Sequence, residues 1–260
     1  MRRLIAFDCA GETLIGTLDG TGPATIGVLI VSGGNEVRAG AHRGMARLAA
    51  QLAEDGVPVF RYDRRGVGDS GGENGGWTSA AVDLAAALAT FRREAGMTRV
   101  IGFGNCDAAS LLAIEGRRAG LEAVVLANPW TTEEKDGLPP AAAIRAGYAA
   151  KLRQPSEWLR LLSGGVNLRK LLRGLAKLLR ARPQPLQRRV VRAVARWGER
   201  ATIVLAEGDA TAIAFADATR AVELRGETIV IPTASHGFAR AAAQVALENA
   251  IRWALRRVST

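Results

Sequence analysis

RVIGFGNCDAAS, residues 99–110, decides the fold. A short β-branched and apolar run ends at Gly104 and leads straight into Asn105-Cys106-Asp107-Ala108, and helix-forming residues follow. Strand, sharp turn and helix in so few residues present one side chain, that of Cys106, at the carboxyl edge of a sheet. Small neighbours allow the strained backbone that such a turn needs. The commoner pattern is G-x-S-x-G; here cysteine stands for serine and Ala108 for the second glycine. A thiolate is the reactive form of cysteine, and an imidazolium or a helix N-terminus favours it. Asp107 brings a nearby negative charge that opposes thiolate formation, or that steadies an imidazolium or touches substrate. Taken alone, Cys106 reads more readily as a buried apolar residue, as most free cysteines are. Its place in the turn argues for the nucleophile.

Working outward, the first half of the chain alternates strand and helix signals. TLIGTLDG, ending near Gly20, reads as a hairpin strand, and IGVLIVSGG, from Ile26, as a buried strand stopped by glycines. Residues 44–55 carry Met45, Leu48, Ala49 and Leu52 on one helical face. VPVFRYD ends a strand at Asp63, residues 66–76 form a glycine-rich loop, and residues 78–94 form an alanine- and leucine-rich helix. After the helix at 108–118 comes the strand LEAVVLANP, stopped by Pro129. From about Trp130 to Gly198 strand signals give way to basic, leucine-rich helical segments. The β rhythm returns with ATIVLAEGD at 201–209 and ETIVIP at 227–232, and a helix at about 239–257 closes the chain. This alternation predicts an α/β fold, a mostly parallel sheet with helices on both faces. In such sheets ligands sit beyond the carboxyl ends of the strands.

That rule says where to look for the partners of Cys106. In the α/β-hydrolase order the nucleophile comes first, then an acid, then a histidine. His236 lies in IPTASHGFAR, past the last strand and before the last helix. Asp209 lies in the turn after the strand VLAEGD, where it can orient His236 and stabilise its cation. Glu207 and Asp217 are the alternative acids. An oxyanion hole needs backbone N–H groups. One is expected from Asp107, the other from Gly34 or Asn35 in IVSGGNEVR, where two glycines let backbone approach closely. Arg38, His42 and Trp130 are candidate substrate contacts on the same set of loops.

Several of these stretches resemble a known group. YDRRGVGDSGG matches a D-x-R-G-x-G-x-S stretch common in α/β-hydrolases through Asp63, Arg65, Gly66, Gly68 and Ser70. SGGNEVRAGAHRG, YDRRGVGDS, GNCDAAS and ANPW together resemble the exosortase A system-associated hydrolase 1 family. The resemblance implies an α/β-hydrolase fold and a hydrolase linked to bacterial exopolysaccharide and exosortase systems, with no particular substrate. A Cys-His-Asp triad on this fold is also similar to dienelactone hydrolase, although the match is otherwise loose.

Composition bounds the rest. With 260 residues, 48% hydrophobic and 23% charged, the chain can bury one large core carrying an insertion. Two cysteines give no disulfide framework, and two histidines with neither CxxC nor HExxH give no metal site. No cofactor is expected. The short apolar stretch after Arg2 and Arg3 is interrupted at Asp8, unlike a secretory signal, so a cytoplasmic protein is expected, one that docks peripherally at the inner membrane if its basic segment binds lipid. The net charge is +10, yet residues 151–200 alone carry 14 basic and two acidic side chains. That puts the basicity in one segment. In NLRKLLRGLAKLLR, leucines follow helical spacing and basic residues fill the remainder. This reads as a cap helix over the active site, or as a surface for an anionic membrane or an acidic partner. No aromatic stacking pattern accompanies the arginines, so nucleic acid is not expected.

The sequence therefore predicts a core of residues 1–129 and 199–260 with a basic helical cap at 130–198. It predicts an acyl hydrolase acting on an ester, thioester or lactone in a small-molecule or saccharide substrate. The alternatives are an acyltransferase on the same scaffold, or a non-catalytic, membrane-associated accessory protein.

Overall fold

The computed structural model describes residues 1–20, 24–76, 79–132 and 185–259. Eight strands form one sheet: β1 (Arg2–Cys9), β2 (Glu12–Asp19), β3 (Ile26–Val31), β4 (Val59–Tyr62), β5 (Arg99–Asn105), β6 (Ala123–Ala127), β7 (Ala201–Ala206) and β8 (Glu227–Ile231). Their order in space is β1-β2-β4-β3-β5-β6-β7-β8. The β1–β2 and β2–β4 pairs are antiparallel and all other pairs are parallel.

The central strands form because both their faces are buried. Successive residues of a strand point to opposite faces. Leu29 and Val31 of β3, Val124 and Leu126 of β6, and Ile203 and Leu205 of β7 join one apolar cluster. Their neighbours Val28, Ile30, Val125 and Val204 join the other. The first cluster is covered by α2 (Ala81–Ala95), α3 (Asp107–Ala119), α4 (Pro185–Trp197) and α5 (Ala210–Thr219). The second is covered by α1 (Gly44–Glu54) and α6 (Ala241–Ser259). A strand buried on both sides reads as a continuous apolar run, as IGVLIV and ATIVLA do.

One boundary differs from the sequence reading. Residues 185–197, expected inside the cap, form α4 and pack as a core helix. Leu186, Val190, Val194 and Trp197 face the first cluster, and the Trp197 indole N–H donates to the Ala113 carbonyl of α3 at 2.9 Å. Arg117 lies over the Trp197 ring, 5.6 Å from its centroid. The arginines of α4 misled the reading: they line its outer face, while its apolar residues recur at the spacing of a buried one. The amphipathic stretch NLRKLLRGLAKLLR lies outside the described residues. Among the described residues no helix is long and apolar enough to cross a membrane.

Candidate active site

Cys106 stands between the last residue of β5 and the first of α3, with φ 62° and ψ −126°. A positive φ is costly for a side-chain-bearing residue and persists only where the surroundings enforce it. Here they do. The Cys106 N–H donates to the Ala127 carbonyl at 3.0 Å, and the Cys106 carbonyl accepts from the N–H of Trp130 at 3.1 Å and of Ser110 at 3.3 Å. The Ser110 hydroxyl in turn donates to the Trp130 carbonyl at 2.6 Å. The turn is thus braced against the chain leaving β6, and its thiol is half-buried and free.

Asp209 and His236 come together as the order of the elements requires. Asp209 is the N-cap of α5: its Oδ1 accepts the N–H groups of Thr211 and Ala212, each at 3.0 Å. Its Oδ2 lies 3.0 Å from His236 Nδ1. A carboxylate only accepts, so Nδ1 carries a proton and Nε2 is the nitrogen turned away from Asp209. Burial pushes the Asp209 carboxyl up, but the bonds from His236, Ala212 and Thr211 outweigh it and hold it below the ordinary value of 3.8. The His236 ring is pushed up to about 10, first by its bond to Asp209, then by the Cys106 sulfur acting on the same ring. The imidazole is therefore held cationic at neutral pH. Of the alternative acids, Glu207 is exposed and Asp217 pairs with Arg220.

The loop after β3 departs from the expectation. Gly34 was expected to offer its N–H to an oxyanion, but that N–H donates to Asp107 Oδ1 at 2.7 Å. Asp107 also pairs with Arg64 at 3.3 Å, and the Arg64 guanidinium donates to the Gly34 carbonyl. The side chain of the residue after Cys106 thus clamps the loop after β3. Asn35, the other expected donor, is exposed, and its side chain accepts from Asn74 at 2.8 Å. Gly33 is where the loop presses hardest on the turn. A Cβ there would lie 2.6 Å from Asp107 Oδ1 and 2.8 Å from the Asn105 carbonyl oxygen.

The candidate substrate contacts separate. Trp130 is half-buried and its backbone is bonded to the turn itself. Arg38 is committed elsewhere: it pairs with Asp63 and, at 2.9 Å, with Asp69, and donates to Thr17 at 3.0 Å. Asp63 and Asp69 lie on the loop after β4 and Thr17 lies in β2, so the guanidinium is a structural tie between them. His42 is exposed in a short turn before α1 and has no bond to Cys106, Asp209 or His236 among the described residues.

Three residues not singled out from sequence shape the site. Arg64 occupies a variable position of the D-x-R-G-x-G-x-S stretch, whose named members build the loop: Asp63 is fully buried, Arg65 pairs with Asp83 at 2.6 Å, and Ser70 bonds to Asp63 and Ile15. Asn105 and Asn128 donate to the His236 carbonyl. Asn105 stood within the quoted turn and Asn128 within ANPW, but their bonds depend on residues more than a hundred positions away.

Residues 28–248 match the alpha/beta hydrolase family. The chain belongs to the alpha/beta hydrolase family. Solved structures share the architecture of this α/β hydrolase at low sequence identity. An esterase of Pyrococcus furiosus is similar with a TM-score of 0.68 and 15% identity, over 100% of this chain and 91% of that one. An α/β hydrolase of Penicillium sp. sh18 has a TM-score of 0.69 at 15% identity and covers both chains fully. A thermophilic esterase of Thermogutta terrifontis has a TM-score of 0.63 at 18% identity, over 99% of this chain and 100% of that one. No curated protein matches this α/β hydrolase by sequence.

Proposed function

We propose that this α/β hydrolase is an acyl hydrolase that uses Cys106 as nucleophile on an ester, thioester or lactone. The observation that carries the reading is the company Cys106 keeps. It sits in a strained strand-to-helix turn, beside a histidine whose far nitrogen is bonded to a buried carboxylate. In the first step the Cys106 sulfur forms a bond to the acyl carbon, and the carbonyl π-electrons move to oxygen. The Asp107 backbone N–H is the proposed donor to that oxyanion. As the tetrahedral species collapses, the bond to the alkoxide or thiolate leaving group breaks and cationic His236 gives it a proton. Neutral His236 then takes a proton from water, whose oxygen attacks the thioester. The carbon–sulfur bond breaks with its electron pair returning to sulfur, the carboxylic acid leaves and loses its proton to solvent, and His236 is cationic again. Asp209 keeps the ring oriented throughout. The link to exosortase and exopolysaccharide systems rests on the motif resemblance, since the family match is to the broader group.

Short-chain p-nitrophenyl esters and acyl thioesters test the reading. Wild-type protein is expected to turn them over, and Cys106→Ala to abolish turnover. Iodoacetamide at neutral pH should alkylate Cys106 at least about tenfold faster than Cys9, read by peptide mass spectrometry. Cys9 is buried, and burial, then Asp83, pushes its thiol up to about 11. Absence of both turnover and selective alkylation would leave a non-catalytic accessory as the better reading.

A further inference from the structure

Asn128 directly follows β6 and is fully buried. Its backbone has a φ of 41°, a left-handed conformation that asparagine tolerates better than most residues, and its N–H donates to Val204 at 2.9 Å. Three parts of the site converge on its side chain. Oδ1 accepts the N–H of Ala206, the last residue of β7, at 2.8 Å. A backbone amide only donates, so this bond fixes which end of the side chain faces β7. Nδ2 then faces the other way, where it donates to the His236 carbonyl oxygen and to Asn105 Oδ1, both at 3.1 Å. Asn105 Nδ2 donates to the same His236 carbonyl at 3.0 Å.

Each contact touches one member of the proposed triad through its neighbour or its backbone. Asn105 immediately precedes Cys106. The Ala206 carbonyl accepts the Asp209 N–H at 3.0 Å. The third contact is His236's own carbonyl. Only a side-chain amide supplies the acceptor for β7 and the two donations together. Aspartate would serve Ala206 but donate nothing, and leucine would fill the volume and bond to neither.

We propose that Asn128, with Asn105 as its partner, is a positioning residue that sets the His236 ring relative to Cys106 by holding the His236 carbonyl. This rests on the catalytic reading of Cys106, His236 and Asp209. A group displaced by a fraction of an ångström from its productive geometry loses rate more than binding, and 1 Å can cost about 100-fold.

The test uses Asn128→Asp, Asn128→Leu and Asn105→Ala. In each, kcat on a p-nitrophenyl ester is expected to fall roughly 10- to 100-fold with KM within about twofold. A second readout is independent of turnover. The chain has only two histidines, His42 and His236, so imidazole NMR resolves the His236 titration. Its midpoint, about 10 in the intact site, should fall towards 6.5 in the variants as the ring drifts from Asp209 and Cys106. Asn105→Ala keeps the Asn128–Ala206 bond and serves alone if the buried variants do not fold. A lowered Tm with wild-type kcat and wild-type His236 midpoint would make Asn128 a purely structural residue and overturn the proposal. If the wild type turns over no ester or thioester, the catalytic reading fails, and the His236 midpoint still decides whether the clamp exists.

Discussion

Asp107 Oδ1 accepts the Gly34 N–H at 2.7 Å, so the residue after the proposed nucleophile holds the loop after β3. Arg64, almost fully buried, closes the arrangement by bonding both Asp107 and Gly34. Asp107→Ala leaves that guanidinium without its carboxylate and the loop without its tether. A loss of about 1–3 kcal/mol in unfolding free energy is expected, the penalty for a buried donor stripped of its partner. Asp107→Asn keeps an acceptor for Gly34 and should lose less. Urea unfolding of the two variants, alongside ester kinetics, checks the order.

Asp209 does two jobs with two oxygens: Oδ1 caps α5 and Oδ2 holds His236. Asparagine is itself a good N-cap, whereas alanine is not, and the difference is about 1 kcal/mol. Asp209→Asn should therefore keep most of the stability and lose about 10²–10⁴-fold in kcat. Asp209→Ala should lose both. Equal thermal midpoints for the two variants would contradict the capping role.

The His236–Asp209 bond should also appear in the pH dependence of stability. The folded-state value of His236, about 10, lies above its ordinary 6.5. Its contribution is then full below pH 6.5 and is lost as pH rises towards 10. Asp209 lies below its ordinary 3.8, so its contribution holds above that pH and is lost as pH falls further. The His236–Asp209 bond is the largest stabilising cause of both shifts, so His236→Gln should flatten the alkaline limb and shrink the acid one. Urea midpoints measured from pH 3 to pH 10 test this.

Gly33 and Gly34 are adjacent and should differ sharply. At Gly33 a Cβ would press on Asp107 and on the Asn105 carbonyl. At Gly34 nothing lies within 4 Å, and only the positive φ of 55° resists a side chain. Gly34→Ala should cost about 1 kcal/mol. Gly33→Ala should cost about 1–3 kcal/mol through overpacking and should also disturb the turn, lowering kcat. Thermal unfolding of both single variants is the check.

Strands such as IGVLIV and AVVLA were legible because each run is apolar on both faces and is stopped by glycine or proline. Arg2–Cys9 was not singled out, since at the sheet's edge it alternates exposed and buried residues and begins with two arginines. Helix α5 was also passed over: Asp209 is its cap, but the residues after it carry no capping-box partner. Cys106, Asp209 and His236 could be picked out because each lies just past a recognisable strand. Gly34 was read for what its backbone could offer, and its actual partner is a side chain 73 residues away. Arg64 sits beside the named members of its stretch and gains its meaning from Asp107 and Gly34. Periodicity describes neighbours along the chain, whereas these bonds join loops that meet only once the sheet has formed.

The turn that carries Cys106 and the helix α3 that follows it are each held from outside by another part of the chain. Trp130 is tied to the carbonyl of Cys106 and the hydroxyl of Ser110, and α4 is locked onto α3 through Trp197. Both braces are made by the fold itself, so the backbone of the turn owes its shape to β6 and α3 and not to anything that binds there.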